Sequence, residues 1–126
     1  MELKLNTNES EEYFYNALCN GLGYLGGYGL QLDYKNIEYI KSKSRLSNGI
    51  CFEDVLMQML KDGYKITIVD VECEGEYTCS IGLEEVHDRV QNTPLEHLLD
   101  MRNGDDDATT ADVILQTVFF KDVIFG

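Results

Sequence analysis

Tyr64-Lys-Ile-Thr-Ile-Val-Asp-Val-Glu-Cys73 and Tyr77-Thr-Cys-Ser-Ile-Gly-Leu83, separated by Glu74-Gly75-Glu76, decide the fold class of this chain. The first stretch is rich in β-branched residues and the second alternates strictly, with Tyr77, Cys79, Ile81 and Leu83 on one side, so the two read as a β-hairpin. Apolar faces set the expected register. A three-residue loop places Cys73 opposite Tyr77, Val71 opposite Cys79 and Val69 opposite Ile81, whereas a two-residue loop would put Asp70 and Glu72 among those apolar partners. The three-residue loop is therefore expected, and it leaves Ile66 and Ile68 on the opposite face, with both faces partly covered.

Helical periodicity surrounds this hairpin. Tyr13, Phe14, Ala17, Leu18 and Leu22 recur at three- and four-residue intervals, which predicts a first helix over about residues 9–20 capped by Asn8 or Ser10. Gly21-Leu-Gly-Tyr-Leu-Gly-Gly-Tyr-Gly29 holds five glycines in nine positions and reads as a loop, because glycine costs a helix backbone entropy. Leu30, Leu32 and Tyr34 alternate as a short strand would. Ile37 and Ile40, with Tyr34 or Tyr39, predict a second helix fading in the Lys41, Lys43, Arg45 run. Phe52, Val55, Leu56, Met59 and Leu60 predict a third, closed at Gly63.

Downstream, Leu83 to Arg89 or Val90 reads as a short helix, Thr93-Pro94 opens another, and Asn103-Gly-Asp-Asp-Asp107 is a turn. Thr109 and Asp112 have capping-box spacing before Val113-Ile-Leu-Gln-Thr-Val-Phe-Phe120, a helix apolar around most of its circumference. It is expected to be either the central core helix or a contact between copies that buries Phe119, Phe120 and Phe125. The pattern as a whole is α+β: an antiparallel hairpin, or a three-stranded sheet, packed against five to six helices in one domain spanning residues 1–126.

Charge is the extreme feature of the composition. The 126 residues carry 23 acidic and 10 basic side chains, a net charge of −13, while apolar residues at 44% are ample for a folded domain. Residues 1–69 hold 9 acidic and 7 basic residues, and residues 70–126 hold 14 and 3. A field of that sign repels phosphate and anionic lipid and favours a basic protein surface. Direct nucleic-acid binding and membrane association are therefore not expected. The four cysteines lack C-x-x-C spacing, the start carries no basic-then-apolar leader, and no apolar run approaches a membrane span, so a cytoplasmic location is expected.

Candidate chemistry is sparse. Gly21-Leu-Gly-Tyr-Leu-Gly26 matches G-x-G-x-x-G, but a helix precedes it and a strand-like segment follows, the reverse of the order that aims a helix N-terminus at a pyrophosphate. Its glycines are expected to form a tight passage with Tyr24 and Tyr28 packed over it. His87 and His97 lie ten residues apart near carboxylates without a recognised ligand spacing, and they are the residues a metal-dependent or ligand-binding alternative would use. No nucleophile elbow is present, and cysteines on strands or apolar helical faces read as buried thiols. No catalytic residue, metal or cofactor is expected, and the chain is read as a non-enzyme.

What survives is the array Asp70, Glu72, Glu74, Glu76, Glu84, Glu85, Asp88, Glu96, Asp100, Asp105, Asp106 and Asp107. Duplex DNA carries about one charge per 1.7 Å of axis, and ordered carboxylates of similar density can imitate it. Cys51-Phe-Glu-Asp-Val-Leu56, Asn92-Thr-Pro-Leu-Glu-His-Leu98, Asp112-Val-Ile-Leu-Gln-Thr-Val-Phe-Phe120 and the closing Val-Ile-Phe-Gly126 also give the chain the general character of a known group. It resembles small acidic proteins of unknown function encoded by bacteriophages and other mobile elements. That resemblance implies binding to a host or competing-defence protein by occupying its nucleic-acid site, and it carries over no catalytic residue. The expected function is a non-catalytic acidic protein engaging a basic partner. A homo-oligomer built through the last helix is the alternative.

Overall fold

Ile66, Ile68 and Asp70 all point inward from the central strand of a three-stranded antiparallel sheet. The computed structural model describes residues 4–33, 52–72 and 75–125. Its elements run α1 (Thr7–Gly27), β1 (Leu30–Leu32), α2 (Phe52–Lys61), β2 (Ile66–Asp70), β3 (Cys79–Ile81), α3 (Leu83–Val90), α4 (Leu95–Asn103) and α5 (Ala108–Phe120). The α+β class is thus present, with five helices among the described residues. The expected helix around Ile37 and Ile40, and Tyr34 of the expected strand, fall outside the described residues.

The hairpin exists, but its register differs by three residues from the one the apolar faces suggest. Ile66 pairs with Ile81, Thr67 with Ser80 and Ile68 with Cys79, so the strands are joined through residues 71–78 rather than a three-residue loop. An odd shift exchanges the faces. Ile66 and Ile68 join Ile81, Leu30 and Leu32 in the core, while Val69 turns to the half-buried side and Val71 is 55% exposed. The physical reason is Asp70, only 4% exposed. Its Oδ1 accepts the Glu72 N–H at 3.0 Å, its Oδ2 accepts the Tyr77 N–H at 3.1 Å, and its own N–H donates to Thr78 Oγ1 at 3.0 Å. An inward carboxylate satisfied by two main-chain donors ends the ladder, and this offsets the burial of a charge that the expected register avoided.

The glycine segment is helix rather than loop through Gly27. Asn6, not Asn8 or Ser10, caps α1: its Oδ1 accepts the Glu9 N–H at 2.8 Å, and Glu9 Oε1 accepts the Asn6 N–H at 3.2 Å. Tyr13, Phe14, Ala17, Leu18, Gly21 and Leu25 make one continuous buried face. Gly21 is required there. A Cβ on it would lie 2.8 Å from Ala111 Cβ and 3.1 Å from backbone atoms of Ala111 and Asp112, so α1 and α5 cross at nearly main-chain contact. Tertiary packing overrides weak propensity. Tyr24 does not pack over the glycines as expected; it is 44% exposed.

α5 is the central core helix, flanked by α1, α3, α4 and β3. It starts from Asp107, whose Oδ1 accepts the Thr110 N–H at 2.9 Å, rather than from a Thr109–Asp112 box. Asp112 is instead engaged by Tyr28, whose hydroxyl donates to its Oδ2 at 2.7 Å. Gly104 in the left-handed region closes α4, and Lys121, at φ 68°, closes α5 and reverses the chain.

Candidate functional site

Three of the expected carboxylates are brought to one place by a single helix. Glu84, Glu85 and Asp88 of α3, with Arg89, Asn92 and Lys121, line a shallow depression of about 450 Å³. The helix is fixed at its start by Glu85, whose Oε2 accepts the Gly82 N–H at 3.0 Å, and near its end by Arg89, whose Nη1 donates to Val118 O at 2.9 Å. Main-chain hydrogen bonding in the first turn of α3 holds the Glu85 carboxyl below its ordinary range, with Lys65 and Arg89 adding to the effect. Glu84 and Asp88 take no part in the capping.

The other candidates are spread over separate elements. Glu72 and Glu76 are exposed on the connection between β2 and β3, and Glu74 lies outside the described residues. Asp70 is not part of any solvent face, being buried as the end stop of the sheet. Glu96 is exposed at the start of α4, Asp100 is half-buried farther along it, and Asp105, Asp106 and Asp107 follow in the turn before α5. The Thr110 main-chain N–H keeps the Asp107 carboxyl below its usual range, so this cap stays ionised. Of the three cations in this half, Arg89 is tied to Val118 O and Arg102 reaches across to Glu9 Oε2 at 2.8 Å.

One acidic grouping escaped the sequence reading. Glu11 and Glu12 of α1 and Asp54 of α2 line a groove of about 390 Å³ with Tyr15, Met57 and Lys61. The near-neutral total of residues 1–69 hid it, because the Lys41, Lys43, Arg45 run offsets its charge in the count. The usable signal was local: the charged residues of the first helix are Glu9, Glu11 and Glu12, all just after its cap.

The two histidines stand apart. His87 Nε2 lies 3.7 Å from Glu11 Oε1, and His97 Nδ1 is 3.2 Å from Thr110 Oγ1 with its Nε2 3.8 Å from Glu96. Among the described residues no group of three or more His, Cys, Asp or Glu side chains is placed to hold a metal ion. Burial pushes the Cys79 thiol up to about 11, which keeps it protonated and weakly nucleophilic at neutral pH. The G-x-G-x-x-G letters lie inside α1, where their amides belong to the helix ladder and cradle nothing.

Phe119 is buried inside the chain, and Phe120 and Phe125 pack edge-on against each other and against Tyr77. The apolar side of α5 is therefore occupied by the chain's own residues. No helix among the described residues is long and apolar enough to cross a membrane. No protein-family model, curated protein or solved structure matches this chain.

Proposed function

We propose that this chain is a non-catalytic acidic binding protein that engages a basic protein partner and occupies a surface that otherwise receives nucleic acid. The observation that carries the reading is the charge of residues 70–126, 14 acidic against 3 basic, with Glu84, Glu85 and Asp88 held on one ordered helix face. Carboxylates carried on a folded helix have their backbone already fixed, so less freedom is lost on contact than with a mobile tail. Arg89 and Lys121 line the same depression and offset part of its charge, but 14 acidic against 3 basic residues leave the field of residues 70–126 strongly negative.

The test is affinity capture from a lysate of the native host with and without nuclease, followed by titration of the captured protein in increasing salt. The expected result is a nuclease-resistant complex whose affinity falls at least tenfold between 50 and 200 mM salt, on the order expected for several phosphate-like contacts, and which duplex DNA or RNA displaces. Glu84→Lys with Asp88→Lys weakens it further while leaving the Glu85 cap intact. Salt-insensitive binding, or binding that nucleic acid does not compete, refutes the reading.

A further inference from the structure

We propose that residues 121–125 form a strap that keeps the glycine-rich last turns of α1 helical, and that releasing the strap lets residues 22–28 unravel while the rest of the molecule stays folded. The end of α1 is intrinsically weak. Gly23, Gly26 and Gly27 have open space where a Cβ would sit, so no close approach within the chain demands glycine there, and the last turn holds no cation to complement the helix dipole. A segment of that composition needs outside support to remain helical.

The support converges on Tyr28. Its ring stacks on Phe125 with centroids 4.7 Å apart and planes 10° from parallel, and its hydroxyl donates to Asp112 Oδ2 at 2.7 Å. Phe125 is itself held by the buried Gln116 of α5. Gln116 Oε1 accepts the Ile124 and Phe125 N–H groups at 2.9 and 2.8 Å, and its Nε2 donates to Phe125 O and to Asp112 Oδ1, both at 3.1 Å. One carboxylate, Asp112, thus receives both the helix end and the residue that clamps the strap. Lys121 in the left-handed region turns the chain back so that this contact forms. The strap and the end of α1 behave as a single locally opening unit, joined through Tyr28, Asp112, Gln116 and Phe125. Opening uncovers Leu22 and Leu25, which now pack against the core.

Hydrogen exchange read by mass spectrometry on the full chain tests this. Phe125→Ala is expected to speed exchange across residues 22–28 by about tenfold, equivalent to about 1.4 kcal/mol of lost local protection, with residues 10–18 unchanged. Adding Gly23→Ala, Gly26→Ala and Gly27→Ala to that variant is expected to restore protection, which a purely packing role for Phe125 would not give. Tyr28→Phe keeps the ring stack and removes the Asp112 bond, and is expected to raise exchange at residues 22–28 by about threefold. It decides the matter if Phe125→Ala fails to fold. Wild-type protection at residues 22–28 in the variant that folds, or a loss spread evenly along the chain, overturns the proposal.

Discussion

Adding one methyl group at Gly21 and one at Gly23, two residues apart on the same helix, should move stability in opposite directions. At Gly21 the new Cβ would meet Ala111 Cβ at 2.8 Å, against a favourable carbon separation of about 3.5–4.0 Å, and would crowd the Ala111 and Asp112 main chain at 3.1 Å. Ala111 has no rotamer to yield, so a helix must shift, an overpacking that costs about 1–3 kcal/mol. The better propensity of alanine returns about 1 kcal/mol, leaving a net loss of about 1 kcal/mol. At Gly23 nothing lies within 4 Å, so Gly23→Ala keeps the propensity gain alone and stabilises by about 0.5–1 kcal/mol. Urea denaturation followed by circular dichroism resolves a difference of about 2 kcal/mol between the two variants. Ala111→Gly placed on Gly21→Ala relieves the clash and recovers part of the loss. If both single variants stabilise, the α1–α5 crossing is not this close. If both destabilise, the segment is not helical at Gly23, and the account of α1 fails.

Two further outcomes follow from the buried polar groups. Asp70→Asn replaces one acceptor oxygen with a donor facing a main-chain N–H, and should cost about 1–3 kcal/mol in urea denaturation, with the Glu72 and Tyr77 amide resonances shifted most. It should leave partner binding and its salt dependence unchanged, because Asp70 is not at the surface. Burial, and then the bond to Asp112, raise the Tyr28 hydroxyl from 10.0 to about 12. The folded state favours the protonated phenol, so this contribution is whole below pH 10 and is lost as pH rises through about 12. Tyr28→Phe should flatten that part of the alkaline unfolding profile; an unchanged slope would remove the assignment.

The helices after Gly82 were legible as elements, from apolar spacing, the proline before Leu95 and the Asn103 to Asp107 turn, although the cap of α5 is Asp107 and not the expected Thr109. The hairpin was legible as an element but not in register. Alternation gave two apolar sets differing by an odd offset, and the choice rested on keeping Asp70 out of the core. That rule fails where a carboxylate finds two main-chain donors, a fact carried by the shape of the connection rather than by any single residue type. The end of α1 was misjudged for a related reason. Propensity argues against helix at Gly21 to Gly27, and the countervailing contact, Ala111, is remote in sequence. In the acidic array, α3 spacing placed Glu84, Glu85 and Asp88 together, whereas the separation of the hairpin and α4 carboxylates depends on tertiary arrangement.

The Gly21–Ala111 crossing also bears on the order in which the molecule assembles. The helix made early in synthesis has its largest packing partner in α5, about 90 residues later, so α1 waits with its apolar face uncovered until most of the chain has emerged. The pairing of β2 with β3 can form in the interval, since it closes over a short connection. A ribosome stalled before residue 108 would hold a chain in which α1 meets only its lesser partners, α2, α3 and β1, and keeps its face around Gly21 open, a species prone to association through that face.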